Sequence, residues 1–165
     1  MKRLILFFTF ITSISAMAQN GKATTIKKTF NSTTTISQTI DADAAVIWAL
    51  LTNASDYPKW NSTVISIEGE IQDGEKIRLK STLDSTRTFK LKVKEFVPYQ
   101  KLVWGDAMGQ RTYTLEQKEG KVLFTMTEKI GGFMFPLFAN KIPSFDESFE
   151  QFTKDLKTEA ESKSS

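Results

Sequence analysis

The sequence predicts an α+β fold: an antiparallel sheet of seven strands curved around one long amphipathic helix near the C-terminus, with two short helices after the first strand. Three observations carry this. Six strand-like runs between Thr63 and Ile130 are separated only by short turn-like spacers (QDGE, LDS, PYQ, AMGQ, EG), and short connections favour antiparallel neighbours. Phe89, Leu91 and Val93 alternate with Lys90, Lys92 and Lys94, which makes a sheet with one covered face and one wet face. Phe145, Phe149, Phe152 and Leu156 recur at i, i+4, i+7 and i+11, the apolar stripe of a helix lying on something apolar.

Taken in order, the chain opens with a basic pair (Lys2, Arg3), an apolar run from Leu4 to Ile11 and the small-residue sequence Ala16-Met17-Ala18. That is the pattern of a secretory signal peptide, residues 1–18, cleaved after Ala18. The apolar run is too short, and too broken by Thr and Ser, for the roughly 20 apolar residues of a membrane span. Residues 19–32 are polar and rich in Thr and Lys, and read as an N-terminal tail. TTTISQTI (33–40) alternates as the first strand. In DADAAVIWALLTN, Asp43 is placed to cap a helix whose Val46, Ile47, Leu50 and Leu51 fall at helical spacing. ASDYPKWN follows as a second helical turn, broken at Pro58. The six strands are expected over Thr63–Glu70, Lys76–Thr82, Arg87–Phe96, Lys101–Asp106, Arg111–Lys118 and Lys121–Ile130. Ser144-Phe145-Asp146-Glu147 is a capping box for the final helix, with Ser144 bonding the Glu147 amide and Glu147 reaching back. One domain, 33–161, precedes a short tail, 162–165, and no internal repeat is present.

Composition removes whole classes of chemistry. The chain has neither histidine nor cysteine, so Ser-His-Asp and Cys-His nucleophiles, His- or Cys-ligated zinc or copper, and disulfides cannot be built. Lys2 and Arg3 supply two of the three net positive charges; the mature chain is nearly neutral and carries no basic patch that would argue for nucleic acid. Asp, Glu, Lys, Arg, Tyr, Ser and Thr remain.

The order of elements, together with TIDADAAVIWALLTNASDYPKWNS (39–62), KEFVPYQKLVWG (94–105), RTYTLEQKEGKVLFTMTEKIGG (111–132) and PLFANKIPSFDESFEQFTKDLKTEAE (136–161), resembles the START/Bet v 1-like (SRPBCC) superfamily, and within it the polyketide cyclase/dehydrase-like branch. The likeness runs from about Thr33 to Glu161. It implies a helix-grip fold with a deep apolar cavity between sheet and C-terminal helix. Members bind lipids, sterols or polyketides, and some catalyse cyclisation or dehydration, so the fold does not settle the activity. An export signal is unusual in that branch.

Set in such a fold, particular residues become candidates. A two-residue loop at Glu119-Gly120 pairs Leu115 with Phe124, Tyr113 with Met126 and Arg111 with Glu128, which puts Tyr113, Phe124 and Met126 on one face as burial demands. Arg111 and Glu128 then form a polar handle beside aromatic walls, the usual make-up of a ligand pocket, or a plain cross-strand ion pair. Glu95 falls on the face of Phe89 and Leu91, where a carboxylate in an apolar cavity would act as acid or base, or near the strand end where it reaches water. Trp60 and Trp104 serve equally as core or pocket wall; Asp84 and Arg87 flank a turn and read as surface. GGFMFPLFANK (131–141) sits between the last strand and the long helix. Its glycines permit a hinge, and Phe135 and Phe138 with their neighbours suit a packed corner, a gate or a membrane-touching surface. Phe145 and Phe149 of the helical stripe complete the ligand-binding set.

The leading expectation is a non-enzymatic protein, periplasmic or secreted, that holds a hydrophobic small molecule or lipid. It carries no cofactor or metal, binds no nucleic acid and has no transmembrane segment in the mature chain. The alternatives are a cyclase or dehydratase using Glu95, Glu128, Arg111 and Tyr113, and a protein-interaction module without a ligand. The interior discriminates between them.

Overall fold

The structure, a computed structural model, describes residues 20–164; the signal segment expected at 1–18 lies outside the described residues. The strands are β1 (Thr24–Lys28), β2 (Asn31–Ile40), β3 (Val64–Glu68), β4 (Lys76–Ser81), β5 (Asp84–Val97), β6 (Lys101–Gly105), β7 (Gly109–Lys118) and β8 (Lys121–Gly131). The helices are α1 (Ala44–Thr52), α2 (Tyr57–Trp60), α3 (Phe135–Phe138) and α4 (Asp146–Ser164), with 3-10 turns at Ala54–Asp56 and Ala139–Lys141. All strands join one antiparallel sheet in the order β1-β2-β8-β7-β6-β5-β4-β3, and α1, α2 and α4 cover its concave face.

The sheet therefore has eight strands rather than the expected seven. The extra one is β1, inside the stretch read as a polar tail. It pairs only with β2 and leaves Ile26 exposed, so backbone hydrogen bonds and not burial make it a strand, and an edge strand needs no apolar alternation.

Three other expectations change in detail. Pro58 opens α2 instead of breaking it: the first helical turn has no use for the amide that proline lacks. Asp43 does occupy the N-cap of α1, but its carbonyl does the capping, bonded to the Val46 and Ile47 amides at 3.0 and 3.2 Å. At α4 the box does not form. Its first bond runs from the Phe149 amide to the Phe145 carbonyl (2.8 Å), so Phe145 takes the capping position and the Ser144 hydroxyl accepts from Asp146 (3.3 Å). Asp146 is drawn aside by the Thr25 hydroxyl at 2.6 Å.

The predicted stripe of α4 is its buried face: Phe149, Phe152 and Leu156, continued by Ala160, are all closed to solvent. They pack on Ile36, Ile40, Tyr113 and Phe124 of the sheet and on Ile47, Leu51 and Tyr57 of the short helices. Each such large apolar side chain contributes about 1.5–3 kcal/mol on burial. Polar pins fix the register of α4 along the sheet. Asp155 accepts the Ser62 amide and hydroxyl (2.8 and 2.7 Å), Glu150 the Ala23 amide (3.2 Å), and Glu161 the Asp41 amide (2.9 Å), while Lys157 donates to the Thr39 carbonyl (3.1 Å).

Candidate functional site

The β7–β8 hairpin is built as its sequence dictates. Glu119 and Gly120 take positive φ (51° and 79°), the geometry of a tight two-residue turn, and the ladder pairs Leu115 with Phe124, Tyr113 with Met126 and Arg111 with Glu128. Tyr113, Phe124 and Met126 are fully buried. They do not face a void. Tyr113 stacks on Phe124 and on Phe152 of α4 (centroids 6.0 and 5.9 Å) and meets Trp104 edge-on at 5.1 Å; Trp60 and Phe149 belong to the same filled core. This end of the sheet, beneath α1, α2 and the middle of α4, carries the hydrophobic core.

A cavity of about 410 Å³ lies at the other end, between the β4–β8 face and the chain entering α4. Val64, Leu79, Phe89, Leu91, Trp104 and Ile130 form its sheet wall, and Phe138, Ile142 and Phe145 close it from the side of α3 and α4. Of the predicted ligand-binding residues, Phe89, Leu91, Trp104, Arg111, Glu128, Phe138 and Phe145 are on this wall. Trp60, Tyr113, Phe124, Met126 and Phe149 are core instead, and Phe135 is buried against Phe138 (5.6 Å) behind the wall. Sequence periodicity identifies an inward face; whether an inward side chain meets a neighbour or a void is decided by where α4 lies over it.

Arg111 and Glu128 are the polar feature of the wall. Arg111 Nε donates to Glu128 Oε2 at 2.6 Å, with side chains only 17% and 12% exposed, and the guanidinium lies over the Phe149 ring at 5.1 Å. Burial works against the Arg111 charge, but Glu128 and Tyr113 together outweigh it and hold the guanidinium protonated more firmly than usual. The Tyr113 phenol, one position further in, is pushed up to about 12 by burial, against a smaller opposing pull from Arg111. Its hydroxyl has no hydrogen-bond partner of good geometry, nor has the Trp60 indole nitrogen.

Glu95 is not in the cavity. A bulge between Val93 and Glu95 shifts the alternation by one residue, so Phe96 turns inward onto Trp48 (centroids 5.0 Å) and Glu95 pairs with Lys101 at 2.8 Å, about 40% exposed. Asp84 and Arg87, read as surface, are at the cavity rim, because β5 begins at Asp84 and not at Arg87. Arg87 stacks on Phe89 at 4.6 Å. Periodicity could not have placed them; the exposed pattern of the β4–β5 turn matches any hairpin. Among the described residues no three acidic side chains come together to hold a metal ion, and no helix is long and apolar enough to cross a membrane.

The GGFMFPLFANK segment divides between two roles. Gly131 ends β8 where a Cβ would sit 2.6 Å from that of Asn31, and Gly132 has φ 128°, so close approach and an otherwise forbidden angle explain the pair. Beyond them Phe135 and Phe138 turn inward, whereas Phe133, Met134 and Leu137 stay in solvent.

Comparison with known proteins places this architecture. The fold is similar to that of a conserved protein of unknown function from Enterococcus faecalis (17% identity over 87% of this chain and 80% of that one, TM-score 0.62). It is also similar to a START superfamily protein from Mycobacterium smegmatis (15%, 79% and 97%, TM-score 0.58). A third match is a protein of the dynemicin biosynthetic locus (15%, 79% and 47%, TM-score 0.60). No match was found among curated proteins. The family model described as polyketide cyclase / dehydrase and lipid transport matches residues 32–161, nearly the whole described fold, and the chain belongs to that family.

Proposed function

We propose that the protein is an exported carrier that holds one hydrophobic small molecule or lipid in the cavity under Phe138 and Phe145. The single observation that carries this is the cavity itself: about 410 Å³, within the range of small-molecule sites, largely apolar, with the Arg111–Glu128 pair as its buried polar mark. The leader-like start of the sequence supports export to the periplasm or beyond.

Catalysis is the less supported reading. Glu95 is outside the cavity in an exposed pair, Tyr113 is core with its phenol held at about 12, and Glu128 is committed to Arg111. What favours an enzyme is Arg111, a fixed cation on an apolar wall, where it can stabilise developing negative charge.

Native mass spectrometry of the processed chain from Gln19, with solvent extraction of whatever accompanies it, tests the carrier. A reproducible lipid-like adduct is expected, and it is lost in Leu91→Trp, which fills the cavity. An adduct that survives Leu91→Trp refutes this site. A substrate consumed by the wild type and untouched by Glu128→Gln supports the enzyme instead.

A further inference from the structure

Five exposed apolar side chains, including the two most exposed among the described residues, are gathered at one end of the sheet. Phe133 is 87% exposed and Leu137 73%, and Met134, Phe30 and Met108 are each about half exposed. They arrive from separate parts of the chain: Phe30 from the β1–β2 turn, Met108 from the β6–β7 turn, the others from the segment after β8. Backbone bonds bring them together, Gly132 N to Phe30 O at 3.0 Å and Gly131 N to Met108 O at 2.9 Å. None of the five serves the core. A soluble surface leaves single apolar residues exposed at no consequence, but a contiguous group rimmed by charge marks an interaction site.

The rim is basic. Lys27 and Lys28 precede Phe30, Lys129 precedes Gly131, and Lys141 follows Leu137; all are exposed, and none is in an ion pair among the described residues. The acids nearest in sequence are engaged: Glu128 pairs with Arg111, Asp106 Oδ1 accepts the Met108 and Gly109 amides (2.7 and 2.8 Å), and Asp146 accepts the Thr25 hydroxyl. Met108 and Lys141 also line the cavity, so the patch borders the cavity. Exposed aromatics ringed by free lysines complement an anionic bilayer, which offers headgroup charge outside and hydrocarbon beneath. An acidic protein partner would match the lysines but gives no reason for the patch to border an apolar cavity.

We infer that the end of the molecule formed by Phe30, Met108, Phe133, Met134 and Leu137 docks reversibly on an anionic lipid surface, with the cavity mouth against the bilayer. The purpose of this docking, moving an apolar molecule between membrane and cavity without exposing it to water, rests on the carrier reading; the docking itself does not.

The chain has no cysteine, so single labels test this cleanly. Leu137→Cys carries an environment-sensitive fluorophore at the patch, and Lys118→Cys carries it at the opposite end of β7. Vesicles of equal parts phosphatidylcholine and phosphatidylglycerol are expected to shift the label at 137 to the blue and leave that at 118 unchanged, with loss of the response in high salt or with pure phosphatidylcholine. Phe133→Ser is expected to weaken partitioning about tenfold or more, and each of Lys28→Gln and Lys129→Gln about fivefold. These side chains are exposed, and a thermal melt matching the wild type confirms that the variants fold. A silent label at 137, or equal responses at 137 and 118, overturns the inference. So does a response at 137 that depends on protein concentration and not on lipid, which would make the patch a contact between copies of the chain. Titration with dansylaminoundecanoic acid without vesicles separates this from the carrier reading: Phe133→Ser should leave that binding intact and Leu91→Trp abolish it. Docking without any such binding would sink the carrier reading alone, and binding without docking would sink this inference alone.

Discussion

Removing the carboxylate of Glu128 while keeping its shape, Glu128→Gln, is the most informative single change. It leaves the Arg111 guanidinium charged over the Phe149 ring and 17% exposed. Breaking a fully buried pair costs about 3–5 kcal/mol, and an exposed pair is worth about 0.2–1 kcal/mol. The burial of both side chains argues for the upper range, but the cavity beside them admits water, so the expected loss is about 2 kcal/mol. For a chain of this size that lowers Tm by roughly 4–8 °C. Arg111→Met strands the carboxylate and is expected to cost a similar amount. The double variant Arg111→Met/Glu128→Leu, with no charge left to desolvate, should return to within about 1 kcal/mol of wild type. Urea unfolding followed by tryptophan fluorescence reads all three. A double variant that loses the sum of the single losses would refute the coupling. A second readout follows from Tyr113: the Glu128 charge helps to raise its phenol, so Glu128→Gln should lower that pKa from about 12, read as tyrosinate absorbance in difference against Tyr113→Phe.

Other expectations are simpler. The Tyr113 pKa is about 12 in the fold against an ordinary 10.0; its contribution is therefore intact below pH 10 and lost as pH climbs from about 10 to 12. Tyr113→Phe should reduce that decline in alkaline melts and leave the share of Tyr57, whose phenol burial also raises, and at neutral pH stabilise by about 1 kcal/mol because it deletes a buried hydroxyl with no hydrogen-bond partner of good geometry. Gly105→Ala places a Cβ 2.2 Å from the Gly109 carbonyl oxygen and should cost about 2–3 kcal/mol in chemical unfolding. Gly74→Ala meets nothing within 4 Å at φ 79°, and should cost only about 1–2 kcal/mol. Leu156→Ala, at the centre of the α4 contact, should cost about 2–5 kcal/mol; a loss below 1 kcal/mol would mean that α4 is not packed as described.

What could be read from the sequence was whatever burial enforces through period. Tyr113 and Leu115 opposite Met126 and Phe124 admit only one register of the β7–β8 hairpin, since slipping by one residue turns one strand's pair into water. The Phe stripe of α4 is legible for the same reason. Features set by a partner strand were not legible. β1 is a strand because β2 offers it hydrogen bonds, and Thr24–Lys28 carries no trace of that. The bulge before Glu95 depends on how β6 lies beside β5, and it turned an apparent cavity acid into a surface one. The site was half readable. Inward residues such as Trp104 and Phe124 look alike in sequence, yet one borders the cavity and the other is covered by its neighbours.

The backbone bonds that hold the outer wall of the cavity have one further consequence. From Phe133 to Ile142 they are local, closing turns (Phe135 to Gly132, Leu137 to Met134 and Ile142 to Ala139) and the one turn of α3 (Ala139 to Phe135), and the last tie to the sheet is Gly132 to Phe30. The strands behind the opposite wall are locked in a continuous ladder. Thermal opening is therefore divided unevenly: amides of this stretch should trade deuterium through small local fluctuations, those of β5 to β8 only when the sheet comes apart. An occupant leaning on Phe138, Ile142 and Phe145 would slow the first class and scarcely touch the second. On the carrier reading, a bound molecule would thus enter and leave at a cost far below that of unfolding.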